Sequence, residues 1–82
     1  MFKNKTQSGL HNLCGKNIAE LRKAESVKMS QRMLADKMQL AGIDIDKNAI
    51  QRIEAGKRFV TDIELKAFAS VLGTTYEKLL EN

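Results

Sequence analysis

The sequence predicts an all-α fold, a compact bundle of five short helices. Three observations carry the prediction. The chain has no proline and only 5% aromatic residues, which argues against a β-sandwich. Its 43% of apolar residues recur at helical spacing rather than in alternation. Residues that start and stop helices stand between the apolar stretches, above all Thr61 with Glu64, Gly56 and Gly73. At 82 residues the chain is one domain with a marginally large core. It has no internal repeat and no low-complexity segment.

Residues 1–14 mix Lys, Asn, Thr, Gln, Ser and Gly without a clean period, so they read as a mobile basic arm ahead of a domain at 15–82. From Lys16 to about Glu25, Ile18 and Leu21 with the small Ala19 and Ala24 give a first helix with one apolar side. Ser30 caps a second helix, in which Met33, Leu34, Ala35 and Met38 follow the helical period. Met33 holds the place of the usual Glu, which leaves that capping box incomplete. Gly42-Ile43-Asp44-Ile45 interrupts the pattern. Asp46 then caps a third helix, which ends before Gly56. In the fourth helix Thr61 and Glu64 form a capping box, and Val60 and Leu65 a hydrophobic staple. Leu65, Phe68, Ala69 and Leu72 make its buried stripe, and Gly73 ends it. A fifth helix begins at Thr74 or Thr75, with Glu77 able to box with Thr74, and buries Tyr76, Leu79 and Leu80.

The third helix divides in two. At about 100° per residue, Lys47, Asn48, Gln51 and Arg52 fall within one arc of roughly 140°. Ala49, Ile50 and Ile53 fall on the opposite arc and point to a core. Amides and cations are the side chains whose donors and acceptors match base edges in a major groove. A polar arc alone is most often a solvated face, so its setting decides. A short helix precedes it, the order a helix-turn-helix DNA reader needs. The charge is distributed accordingly. Residues 1–35 carry +5, residues 36–58 carry +1 and residues 59–82 carry −2, for a net +4.

Other chemistry finds little support. His11 and Cys14 lie three residues apart, but two ligands without two more do not make a zinc site, so no metal is expected. No Cys, Ser or Thr has a His and a carboxylate implied by helical geometry, so the chain does not read as an enzyme. Asp44, Asp46, Asp62 and Glu64 are explained as caps. Met1, Met29, Met33 and Met38 read as an initiator and core filler. A lone Cys14 excludes an internal disulfide and fits a reducing compartment. MFKNKTQSGLHNL at the amino end has no apolar run, so neither a signal peptide nor a membrane span is expected.

Leu21-Arg22, Ser30-Gln31, Leu34-Ala35, Ile50, Ile53-Glu54, Gly56-Lys57-Arg58, Leu72-Gly73 and Leu79-Leu80 stand in a telling order. From about Gly15 to Leu80 the chain resembles the repressor/Cro-type (XRE-like) helix-turn-helix family of phage and bacterial regulators. The resemblance implies a five-helix bundle of the lambda-repressor-like type, binding double-stranded operator DNA as a homodimer without a cofactor. It implies that Gln31, with Ser30 before it, touches a phosphate and braces the recognition helix. Lys47, Asn48, Gln51 and Arg52 would face bases or flanking phosphates, and Lys57 and Arg58 would lie in a loop meeting the backbone. Arg22 and Glu54 match positions that often form a buried or half-buried ion pair.

The chain departs from the family pattern in three places. Two extra residues, about Val27-Lys28, lie between helices one and two. About five more fall within 39–44, where the usual turn has 3–4 residues. Either helix two runs on to Ala41, or the loop bulges with Ile43 and Ile45 pinned to the core. Phe59-Val60 stands where a proline is common. The expected function is that of a sequence-specific transcriptional regulator, a repressor, cytoplasmic and bacterial or phage-encoded. No room is left in these residues for a metabolite-sensing domain. The alternatives are an antitoxin, which adds a protein partner, and a helical interaction module without a DNA role.

Overall fold

The structure, a computed structural model, describes residues 9–25 and 27–81. Five helices and no strands are found among them: α1 (Gly15–Lys23), α2 (Gln31–Leu40), α3 (Lys47–Glu54), α4 (Asp62–Leu72) and α5 (Tyr76–Leu80). α1 is a little shorter at its carboxyl end than its apolar spacing suggests. Four of the five starts are fixed by a side-chain cap, which satisfies a backbone N–H that the helix itself cannot. Ser30 accepts from the Met33 amide, Asp46 from Ala49, Thr61 from Glu64, and Thr75 from Lys78. The fourth helix has the full reciprocal box, with the Glu64 carboxylate accepting from the Thr61 amide. The fifth is capped by Thr75 and not by Thr74, whose buried hydroxyl finds no partner.

Both readings of the lengthened turn hold in part. α2 continues to Leu40, and Gly42 follows at φ +89°, a left-handed conformation open to glycine at little cost. The Gly42 amide donates to the Gln39 carbonyl and the Ile43 amide to that of Met38, the paired bonds of a Schellman ending. The chain then turns inward. Ile45 is fully buried and Ile43 packs on the core, and Gln39 Nε2 donates to the Ile45 carbonyl at 3.0 Å. The extra residues therefore form a folded corner that leaves α2 and α3 packed directly on each other.

One core joins all five helices. Ile18, Leu34, Met38, Ile45, Ile50, Ile53, Phe68 and Leu79 are fully buried in it, with Met29 and Leu72 at its margin. Three expectations about side chains are corrected. Met33 is 41% exposed, because it lies on the outer side of α2 and fills no core space. Tyr76 and Leu80 are also largely exposed, at 47% and 42%. A helix of five residues has one inward position, and Leu79 takes it.

Part of the stretch expected as a mobile arm is packed against the bundle; residues 1–8 of it lie outside the described residues. Cys14 is buried in the core. Asn12 Nδ2 donates to the Ile53 carbonyl at 3.1 Å and the Arg58 carbonyl at 2.8 Å, and its Oδ1 accepts from the Gly15 amide at 2.7 Å. The His11 amide donates to the Gly56 carbonyl, and the His11 ring meets Phe59 edge-on at 4.6 Å. Residues 10–14 are thus a strap across the end of α3.

α1 begins so close to the end of α3 that a Cβ at Gly15 would collide with the Ile53 carbonyl. The Ile53 backbone cannot give way as a side chain would, and the nearby Asn12 Oδ1 is itself held by the Gly15 amide. Gly15→Ala should therefore cost about 1–3 kcal/mol by overpacking, read as a lowered urea midpoint at unchanged slope.

Candidate nucleic-acid interface

α3 is amphipathic in the way its sequence demands. Ile50 and Ile53 are buried, Ala49 is partly buried, and Lys47, Asn48, Gln51 and Arg52 are all exposed. The four polar side chains share one outward face, set by helical geometry alone. Asp46 caps the helix beneath Lys47.

Gln31, at the first position of α2, is half-buried and committed. Its Nε2 donates to Glu54 Oε1 at 3.0 Å. The same carboxylate receives Arg22 side-on, Nε to Oε2 at 2.8 Å and Nη2 to Oε1 at 2.9 Å. Arg22 also donates through Nη1 to the Met29 carbonyl at 2.9 Å. One guanidinium and one carboxylate therefore tie α1, the lead-in to α2, the start of α2 and the end of α3. The pair is 11% and 7% exposed in its side chains, so solvent screens it little. The hydrogen bonds to Glu54 and its charge outweigh burial and raise the Arg22 pKa above its ordinary value.

The loop after α3 carries two cations with different fates. Lys57 is exposed and, among the described residues, in no ion pair. Arg58 is turned back onto α4. Its Nη1 donates to Glu64 Oε1 at 3.1 Å and to the Phe59 carbonyl at 3.1 Å, and its Nη2 donates to Glu64 Oε2 at 3.0 Å. Burial alone would raise the Glu64 carboxyl pKa. The bonds from Arg58 and from the Thr61 amide, with the Arg58 charge, prevail and hold it below the usual value. Arg58 is stabilised in its charged form by the same bonds.

Of the candidate DNA residues, Lys47, Asn48, Gln51, Arg52 and Lys57 thus stand in solvent, and Gln31 and Arg58 are held by carboxylates. Ser30 uses its hydroxyl on the α2 cap. Sequence reasoning missed two neighbours. Arg32 is exposed and shares with Lys47, Asp36, Gln39 and Asp46 a recess between α2 and the start of α3. Its place directly after Gln31 was the available signal. Glu64 was read as a cap alone, although a basic residue just before a capped helix start is well placed to share the capping carboxylate.

Cys14 is enclosed in the core. Burial pushes its thiol pKa up to about 11, so at neutral pH it stays protonated and enclosed. No group of three or more metal-ligating side chains occurs among the described residues.

The Arg22–Glu54 pair can be tested by removing one partner. Arg22→Met leaves a buried carboxylate with Gln31 as its remaining side-chain donor, and should cost about 3–5 kcal/mol. The urea midpoint should fall clearly; a loss under about 1 kcal/mol would mean that the pair behaves as a solvated surface pair.

Two helices, α2 and α3, thus pack together, with the second presenting a polar face and braced from behind. Comparison with known proteins gives the same answer from sequence pattern. The helix-turn-helix family matches residues 18–79, from within α1 to within α5 and so across both helices and the ion pair. No curated protein and no solved structure matches the chain. No helix among the described residues is long and apolar enough to cross a membrane. A family match over most of the chain, on a bundle that supplies the two helices the family is named for, settles its kinship: the chain belongs to the XRE-type helix-turn-helix family of DNA-binding regulators, with their lambda-repressor-like fold.

Proposed function

We propose that the protein is a transcriptional repressor that reads an operator through the major groove with α3. The observation that carries this reading is the exposed face of Lys47, Asn48, Gln51 and Arg52 on a helix whose other face is locked in the core. Amides pair with adenine and guanidinium with guanine, so Asn48, Gln51 and Arg52 supply base recognition. Lys47, Lys57 and Arg32 supply phosphate contacts, which give affinity and salt dependence but no sequence information. Gln31 keeps one amide hydrogen on Glu54 and has another to offer a phosphate, so it joins the DNA contact to the brace behind α3. The cytoplasm of a bacterium or of a phage-infected cell is where such a regulator works.

A single recognition helix covers few base pairs, so specific binding calls for a symmetric dimer on two half-sites about 34 Å apart. The surface between α4 and α5 supports that assembly. Ile63 (67% exposed), Tyr76 and Leu80 line an apolar groove there with Leu65, edged by Asp62 and Lys66. Residues 59–82 carry −2, which suits a contact surface facing away from phosphates. Leu79, in contrast, belongs to the core and takes no part.

The test is a footprinted operator and a random duplex measured side by side. Arg52→Ala should weaken operator binding by about 1–3 kcal/mol and relax discrimination at one base pair. Equal losses on operator and random duplex would reduce Arg52 to a phosphate contact. Two chains per operator are expected; one chain protecting a single half-site would overturn the dimer.

A further inference from the structure

Arg58 has a fixed partner before any DNA arrives. Glu64 is placed independently of Arg58, since its backbone amide and carboxylate both belong to the box with Thr61 that starts α4. Its carboxylate then grips the guanidinium at both ends, at 3.1 and 3.0 Å. The Arg58 backbone is held too, by Asn12 on its carbonyl. A phosphate approaching this loop meets Lys57 as a bare cation and Arg58 as half of a neutral pair. Taking Arg58 would mean displacing a bidentate carboxylate whose charge repels the phosphate, so one contact would be exchanged for another with little gain.

We propose that Glu64 is a specificity-determining residue, which withholds Arg58 from the DNA backbone and so weakens sequence-independent binding. The inference rests on the DNA-binding reading above and deepens it. Affinity for random duplex grows with the number of phosphates neutralised. Contacts of α3 with bases do not. Removing one cation from the first set raises the ratio of specific to non-specific binding, which decides occupancy among competing genomic sites.

Glu64→Gln frees Arg58 while keeping the box, because glutamine also serves at the third position of a capping box: one oxygen remains for the Thr61 amide, and the negative charge and the second acceptor that face Arg58 are lost. Random-duplex binding is measured against salt for the wild type, Glu64→Gln, Arg58→Met and the double variant. The log–log slope of Glu64→Gln should be steeper than wild type by about 0.9, or about eightfold more change in affinity over a tenfold change in salt. Arg58→Met should leave the wild-type slope unaltered and abolish the increment in the double variant. Arg58→Met flattening the wild-type slope would show that Arg58 already binds phosphate, and would overturn the inference alone. An unaltered slope in folded Glu64→Gln would do the same, and were that variant unfolded, Arg58→Met by itself would still decide. A flat wild-type curve would overturn the DNA-binding reading and the inference with it.

Discussion

Glu54 is the last residue of α3, and its carboxylate is the point on which the mutual orientation of α2 and α3 depends. It takes two bonds from Arg22 of α1 and one from Gln31 at the start of α2. Arg22 reaches on to the Met29 carbonyl, which fixes the approach to α2 as well. Apolar packing has no directionality and would allow α3 to rotate or slide by fractions of a turn. A carboxylate held by donors from two other helices, α1 and α2, does not. Its cost is desolvation of a charge pair, offset only when the geometry and the added hydrogen bonds are good. Here both are.

From that anchor the rest of the interface follows. With the carboxyl end of α3 fixed by Glu54 and its amino end by the Asp46 cap, the outward arc has one orientation relative to the bundle. The strap of residues 10–14 closes the same end of α3 from the other side, through Asn12 on the Ile53 and Arg58 carbonyls. The loop that carries Lys57 and Arg58 is consequently positioned by the strap and α4 as much as by α3. Preorganisation of this kind lowers the ordering cost on binding. Of the two cations in that loop, Lys57 stands in solvent and Arg58 is paired with Glu64.

Much of this was legible in the sequence because it is local. The caps of α2, α3 and α4 each join residues three positions apart, and Ser30, Asp46 and Thr61 stand at those places. The two faces of α3 come from its period, and the pairing of Arg22 with Glu54 from a family pattern. Other features are joined only by the fold. Asn12 meets partners 41 and 46 residues away, so the strap looked like featureless polar chain. Arg58 and Glu64 are six apart across a loop, outside any helical register. The corner at 41–46 left two conformations open, since a helix extended to its glycine and a buried Ile45 are compatible. Tyr76 and Leu80 were misread because the apolar spacing of so short a helix does not reveal which side lacks a neighbour.

The face formed by the start of α2, the outer arc of α3 and Lys57 is the proposed contact with DNA. Amide and side-chain NMR shifts recorded while duplex DNA is added map that face directly. If that face meets DNA, the largest changes fall at Gln31, Arg32, Lys47, Asn48, Gln51, Arg52 and Lys57, with the Gln31 side-chain amide among them. Changes concentrated instead on Ile63, Tyr76 and Leu80, with α3 silent, would contradict it.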